Sequence, residues 1–320
     1  MFSREIGRPI IFFMRSFSLI PYLCGAGAST PGCQYGPVEL ARSGVLDGLG
    51  HVNWNDDPRD IFRDHVHGPQ TQNDLPPADT VEGTTRRKDI VLHHAAYLRD
   101  RVEAVAGKGE TLPIVIGGDH SNAAGSIAGL ARAKDSFGKT GVIWFDAHPD
   151  INTEKTSLSG SWHGMPIAAL TGIGNPELAS LSGHDVAVLD PAHIFYIGLR
   201  DIEDGERRYI EELGIASLSA DQVREIGVDN AFRKALDHIS NGTIARVLSF
   251  DLDGLDARDA PAVGTPVPGG LSLDEIKPVM HQLLRDEALD LLEIVEFNPT
   301  LKGADQTAQV IADLLDVAQN

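Results

Sequence analysis

Asp146, His148 and Asp150 stand at two-residue spacing in the stretch Val142-Ile-Trp-Phe-Asp-Ala-His-Pro-Asp-Ile-Asn152. Carboxylates and imidazoles are metal-ligand side chains. The apolar start of the stretch reads as a buried parallel strand, and on a strand residues i and i+2 point the same way. Asp146 and His148 therefore converge on one spot. Pro149 ends the regular structure, so Asp150 can turn back toward that spot from the loop. Three ligand-type side chains within five residues predict a metal site rather than a merely polar strand end.

Two further segments carry the same chemistry. Asp251 and Asp253 repeat the i, i+2 spacing, and His120 follows Gly117-Gly-Asp119 at the end of another apolar run. Four carboxylates and two imidazoles are too many for one catalytic zinc, which usually takes three protein ligands. Carboxylates bridge, so the set suits a pair of ions. An oxygen-rich set without thiolates favours two Mn²⁺ per chain. Two such ions, about 3.5–4 Å apart, hold a bridging water and lower its pKa toward neutrality. That is equipment for hydrolysing a poor electrophile.

The elements that must position these residues follow from the apolar pattern. Strands are expected at 16–24, 112–116, 142–145, 194–198, 246–250 and 291–297, with a shorter one at 51–54. Helices are expected at 38–48, 121–134, 167–170, 206–213, 220–226, 231–239, 273–284 and 306–317, and from a cap at Thr85 to Ala106. The polar, proline-containing stretch 56–85 shows no clear period and reads as a surface loop or partly disordered segment. Apolar strands alternating with helices predict a parallel sheet covered on both faces. In such sheets ligands bind beyond the carboxyl ends of the strands, which is where every chemically loaded segment falls.

Composition excludes some partners. The 320-residue chain carries 27 Lys and Arg against 46 Asp and Glu, a formal charge of −19. Such a surface repels nucleic acid and anionic membrane, so neither is an expected partner, whereas a cationic substrate and metal ions are. Cys24 and Cys33 form no disulfide framework and no C-x-x-C motif, which suits a reducing, cytoplasmic compartment. Arg4, Arg8 and the apolar 10–14 outline a signal peptide, but Arg15 interrupts the run, which is too short to span a bilayer. Residues 1–15 are expected to be a leader, with Met14 a candidate start, and 16–320 one catalytic domain.

Several segments together resemble a known family: Gly117-Gly-Asp-His-Ser121, Asp146 to Asn152, Ser159-Gly-Ser-Trp-His-Gly-Met-Pro166, Ser249-Phe-Asp-Leu-Asp-Gly-Leu-Asp256, Gly264-Thr-Pro-Val267 and Glu296-Phe-Asn-Pro299. In that order they are similar to the ureohydrolases, and among them most to the arginases. The resemblance implies a three-layer α/β/α fold with a central, mostly parallel sheet and a dinuclear manganese centre. It implies hydrolysis of arginine to ornithine and urea, and assembly as a homo-oligomer, a trimer or hexamer. One metal would be held by His120, Asp146, Asp150 and Asp251, the other by Asp146, His148, Asp251 and Asp253. Glu296 would pair with the guanidinium, with Thr265 beside it, and Asp150 would also orient the bridging hydroxide. His163 would shuttle a proton to the leaving amine, a role suited to imidazole. On residue type alone, His163 reads as structural and Glu296 as a solvated strand end.

The substrate's tail is where this chain departs from the pattern. The resemblance assigns the α-carboxylate to Asn152, Ser159 and residue 161, and the α-amino group to the segment holding Asp201, Glu203 and Glu206. Ser161 stands where Asn is usual, giving one hydroxyl donor in place of two N–H donors. Glu203 stands where Asp is usual. Another guanidino acid, such as 4-guanidinobutyrate or N-hydroxyarginine, is therefore an alternative substrate. An agmatinase and a single-zinc deacetylase of the same fold are further alternatives.

Overall fold

Strand residues of this chain alternate between two apolar cores. Phe17, Leu19, Ile114, Ile116, Ile143 and Phe145 face one; Ile20, Val115, Val142 and Trp144 face the other. A strand buried on both faces belongs inside a layered sheet. The computed structural model describes residues 15–66, 75 and 80–317, and there eight strands form one sheet. They are β1 (Phe17–Pro21), β2 (Val52–Trp54), β3 (Leu112–Ile116), β4 (Thr140–Phe145), β5 (Ile194–Leu199), β6 (Ala216–Ser219), β7 (Ala245–Asp251) and β8 (Leu291–Val295). Their order is β2-β1-β3-β8-β7-β4-β5-β6, and all neighbours run parallel.

Eleven α-helices are described: α1 (Gly36–Ser43), α2 (Pro58–Val66), α3 (Val81–Lys108), α4 (Ala123–Lys134), α5 (Pro166–Leu170), α6 (Pro176–Ala179), α7 (Asp204–Leu213), α8 (Ala220–Ile226), α9 (Val228–Ser240), α10 (Leu273–Arg285) and α11 (Ala304–Leu315). Buried residues of α1, α8, α9, α10 and α11 join the first core. Those of α3 to α6 join the second, with α7 packed against it. The result is the expected three-layer α/β/α sandwich, with a sheet that is parallel throughout.

Several expected boundaries move, each for a local reason. The helix assigned to a Thr85 cap starts a turn and more earlier. Thr80 is extended, its hydroxyl accepts from the Gly83 N–H at 3.0 Å, and Thr85 lies inside the helix. Part of the expected loop 56–85 is the helix α2, which opens on Pro58 after Asp57, whose carboxylate accepts from the Arg59 N–H. Residues 67–74 and 76–79 of that stretch lie outside the described residues, as does the proposed leader except Arg15. Arg15 donates to the carbonyls of Thr111 and Leu289. The edge strand β6 was unmarked in the sequence because Ala-Ser-Leu-Ser offers only one buried side chain. The last strand stops at Val295 rather than 297, because Glu296 takes a left-handed φ of 69°.

Candidate metal centre and substrate cleft

The strands that deliver the candidate ligands and Glu296 are consecutive in the sheet: β3, β8, β7 and β4. Their carboxyl ends therefore lie side by side, and residues far apart in sequence meet there. Gly118 makes the first approach possible. A Cβ at that position would sit 1.8 Å from the Cys24 carbonyl oxygen, so only glycine lets the chain pass β1 and enter the turn to His120.

His120 Nδ1 lies 3.1 Å from an oxygen of each of Asp146, Asp150 and Asp251. His148 Nδ1 lies 3.5 Å from Asp146 and 3.2 Å from Asp253. Two ligand groups result, His120–Asp146–Asp251 and Asp146–His148–Asp253, sharing Asp146. The other oxygen of Asp251, Oδ1, accepts from the Asp253 N–H. All six residues proposed from sequence as ligands are brought together.

The electrostatics of this cluster call for cations. Burial and the neighbouring carboxylates raise Asp251 well above the ordinary range, Asp253 to about 6, and Asp150 as well. Burial opposes charge on His120, but its contacts with Asp146, Asp150 and Asp251 outweigh it and hold its proton. Burial also opposes charge on Asp146, yet His120 and His148 keep its pKa low. A divalent cation can replace such a proton and neutralise the excess carboxylate charge. His120 Nδ1 is also a buried nitrogen without a hydrogen-bond partner, aimed into the carboxylates. The donor set fits a pair of hard or borderline divalent ions.

Trp144, Ser249 and Glu293 support the ligands, and the sequence reading did not single them out. Trp144 donates its indole N–H to Asp146 Oδ2 at 3.0 Å and stacks on His120 with ring centroids 4.0 Å apart. On the far side of His120, Nε2 pairs with Ser249 Oγ at 2.8 Å, and Ser249 donates to Glu293 at 2.6 Å. A charged residue in the apolar run Leu-Leu-Glu-Ile-Val was a readable signal for Glu293; so was the position of Ser249 two residues before Asp251.

His163 and Glu296 form the next unit. Glu296 is 2% exposed, so the solvated strand end expected from residue type is corrected. Its Oε1 accepts from the His120 N–H at 2.9 Å and pairs with His163 Nδ1 at 3.0 Å. Burial disfavours the imidazolium of His163, but Glu296 outweighs it and raises its pKa to about 9. Asp150 and Glu296 also share a backbone peculiarity, with φ of 50° and 69°. Non-glycine residues held in that region are strained and cluster at functional sites.

A cleft of about 250 Å³ opens over the cluster, lined by His148, Asp150, Asp251 and Asp253 at its floor. That size suits a ligand of amino-acid dimensions. Its rim brings together Asn152, Ser159, Ser161, His163, Asp201, Glu203, Glu206 and Thr265, along with Ser29 and Ser157, which the sequence left unmarked. Glu296 is not among the lining residues and adjoins the cleft through His163. Thr265 donates to Asp253 Oδ2 at 3.1 Å. Asp201 is 64% exposed and lies 3.6 Å from His148 Nε2. Asn152 donates to Glu203 at 3.2 Å, while its carbonyl accepts from Thr156. Glu206 accepts from the Ile151 and Glu203 N–H groups, closing a capping box at the start of α7. Burial, with help from Asp150, raises its pKa to about 8.

Comparison with known proteins agrees with this geometry. The Arginase family model matches residues 16–318. The chain is 34% identical to arginase of Bacillus caldovelox over 303 residues, covering 94% of this chain and 97% of that one. The native structure of that arginase superposes with a TM-score of 0.81 at 32% identity, covering 96% and 99% of the two chains. Entamoeba histolytica arginase in complex with L-ornithine gives a TM-score of 0.76 at 30% identity, with 95% and 99% covered. Among the described residues, no helix is long and apolar enough to cross a membrane. With the family model matching residues 16–318 and solved arginases superposing over nearly the full length, the chain belongs to the arginase family.

Proposed function

We propose that this protein is a manganese-dependent amidinohydrolase that converts L-arginine to ornithine and urea. The observation that carries the reading is the pair of carboxylate–imidazole groups sharing Asp146 beneath an acidic cleft. His120, Asp146, Asp150 and Asp251 would hold one ion, and Asp146, His148, Asp251 and Asp253 the other. Bound there, the pair supplies hydroxide at neutral pH, the nucleophile that a resonance-stabilised guanidinium requires.

The remaining roles belong to the chain itself. Glu296 meets both His120 and His163 through Oε1, so Oε2 remains to pair with a guanidinium N–H. His163 carries a proton up to about pH 9 and delivers it to the departing amine, which leaves only when protonated. Asp150 orients the attacking oxygen. The acidic wall of Asp201, Glu203 and Glu206 suits the α-amino group, and Asn152, Ser159 and Ser161 suit the α-carboxylate. Ser161 and Glu203 also admit a differently shaped guanidino acid. Urea release by the Mn²⁺-loaded protein tests the reading, with arginine, agmatine, 4-guanidinobutyrate, 3-guanidinopropionate and N-hydroxyarginine compared. No urea from any guanidino acid would refute it.

A further inference from the structure

The cleft has two chemically different walls. Asp201, Glu203 and Glu206 make one wall acidic, while Ser29, Ser159 and Ser161 give the other hydroxyls. Among the described residues, no lysine or arginine lines it. The nearby Arg200 is turned toward backbone carbonyls of Gly198, Asp253 and Val267. Away from the two histidines near its floor, an anionic group entering the cleft meets neutral donors, and the hydroxyls among them lie on the wall of Ser29, Ser159 and Ser161.

Ser29 comes from the loop after β1, far in sequence from Ser161, yet their hydroxyl oxygens are 2.6 Å apart. One proton lies between them; since each hydroxyl has one, the other is left to point outward. The pair thus extends the reach of Ser161 by one hydroxyl, toward the open side of the cleft. Ser161 itself is 4% exposed, and its N–H is held by Ser159 Oγ at 3.2 Å. The Ser29 loop is pinned close by. Gly27 accepts from the His163 N–H at 3.2 Å and donates to Asp119 at 2.8 Å, and Arg87 donates to Ala26.

We infer that Ser29 is a specificity-determining residue: with Ser161 it forms the subsite for the substrate's carboxylate, so that this site selects guanidino acids over guanidino amines. The inference rests on the amidinohydrolase reading above, but its test does not require turnover. An amine without a carboxylate still finds the acidic wall and makes no use of the hydroxyl pair. If the Ser29–Ser161 bond served only to tether the loop, its loss would disturb both kinds of ligand alike.

The test uses two ligands with the same diamine chain, L-ornithine and putrescine, of which only ornithine has a carboxylate. Each is titrated calorimetrically into the full Mn²⁺-loaded chain, as wild type, Ser29→Ala, Ser161→Ala and the double variant. Ornithine affinity is expected to fall about tenfold in each single variant, the scale of one hydrogen bond to a charged group. The double variant should fall little further, because the two hydroxyls act as one unit. Putrescine should change by less than about twofold. Unchanged ornithine binding in Ser29→Ala, or equal losses for both ligands, would overturn the inference. Ser29 is exposed, so Ser29→Ala carries the test even if Ser161→Ala proves poorly folded. Ornithine-selective losses together with no urea from any guanidino acid would leave the subsite standing and sink the hydrolase reading. A wild type that binds neither ligand would sink both.

Discussion

Replacing Glu293 by glutamine keeps the side chain's size and is expected to weaken binding of one of the two metal ions proposed for the cluster. Glu293 is fully buried on β8, opposite Ser249 of β7 in the sheet register. Ser249, Ser126 and the Asn122 amide all donate to it. Burial raises its pKa, but three converging donors leave its oxygens acting only as acceptors, which favours the ionised form. Because Ser249 gives its proton to Glu293, its lone pair must accept from His120 Nε2–H. With Nε2–H so engaged, the proton a metal displaces from His120 is the one on Nδ1, which leaves the neutral tautomer that ligation requires.

Glutamine can turn its NH₂ toward Ser249 and reverse that chain. Ser249 would then donate to His120 Nε2, and the proton would move to Nδ1, where the metal binds. Ser249→Ala removes the acceptor and leaves the buried Nε2–H unpaired. Either change should weaken binding at the His120 side by about ten- to a hundredfold, the range for residues that orient a ligand. The His148 side should bind as before. Free Mn²⁺ followed by electron paramagnetic resonance during a titration reads both affinities, and circular dichroism checks the fold. Two full-affinity ions in Glu293→Gln and Ser249→Ala, or equal weakening of both, would refute the tautomer argument.

Other perturbations have signs fixed by the same geometry. His163 is held protonated to about 9, so as the proton donor it should bend log kcat downward with unit slope above that pH. His163→Asn should lower kcat by about 10²–10⁴ with little change in KM, and abolish the bend; an unchanged pH profile would exclude the role. The stability that the raised pKa contributes is complete below 6.5 and lost as pH climbs through about 9. Glu206 has the opposite sign, because its folded pKa of about 8 exceeds its ordinary 4.5. Its burial costs stability increasingly as pH rises from 4.5 to 8. Glu206→Gln should therefore stabilise the protein by up to about 4 kcal/mol at pH 8 and by almost nothing at pH 4.5, as read by denaturant unfolding. A gain independent of pH would contradict this. Trp144→Phe removes the N–H that Asp146 accepts while keeping an aromatic ring against His120. About 1.5–3 kcal/mol of metal affinity should be lost; wild-type Mn²⁺ titration curves would count against the bond.

The ligand cluster was legible in the sequence because its spacing is a property of the strand itself. Alternation places Asp146 with His148, and Asp251 with Asp253, whatever surrounds them. What brings those pairs together is strand order, which puts β7 beside β4 although a hundred residues separate them; the apolar pattern alone does not contain that order. Ser29 marks the boundary of such reading. It is one small residue in a loop of small residues, and its meaning arises only from the loop's closeness to Ser161. Glu293 lies between these cases. A carboxylate in an otherwise apolar strand was visible, while its three donors come from β7 and from the turn and helix after β3.

Glu296 shows why residue type misleads at such places. At a strand end, glutamate ordinarily reaches water, and that expectation assumes an ordinary backbone. Here φ of 69° turns the chain at the residue after β8, and the side chain goes inward to His120 and His163. Asp150, after Pro149, is turned by the same kind of φ toward His120. A left-handed aspartate or glutamate costs energy that glycine would not, so the surrounding contacts must hold it. In both cases those contacts are the metal-site residues themselves. Backbone strain and ligand geometry at these two positions are therefore one arrangement, which is why local propensity could not reveal it.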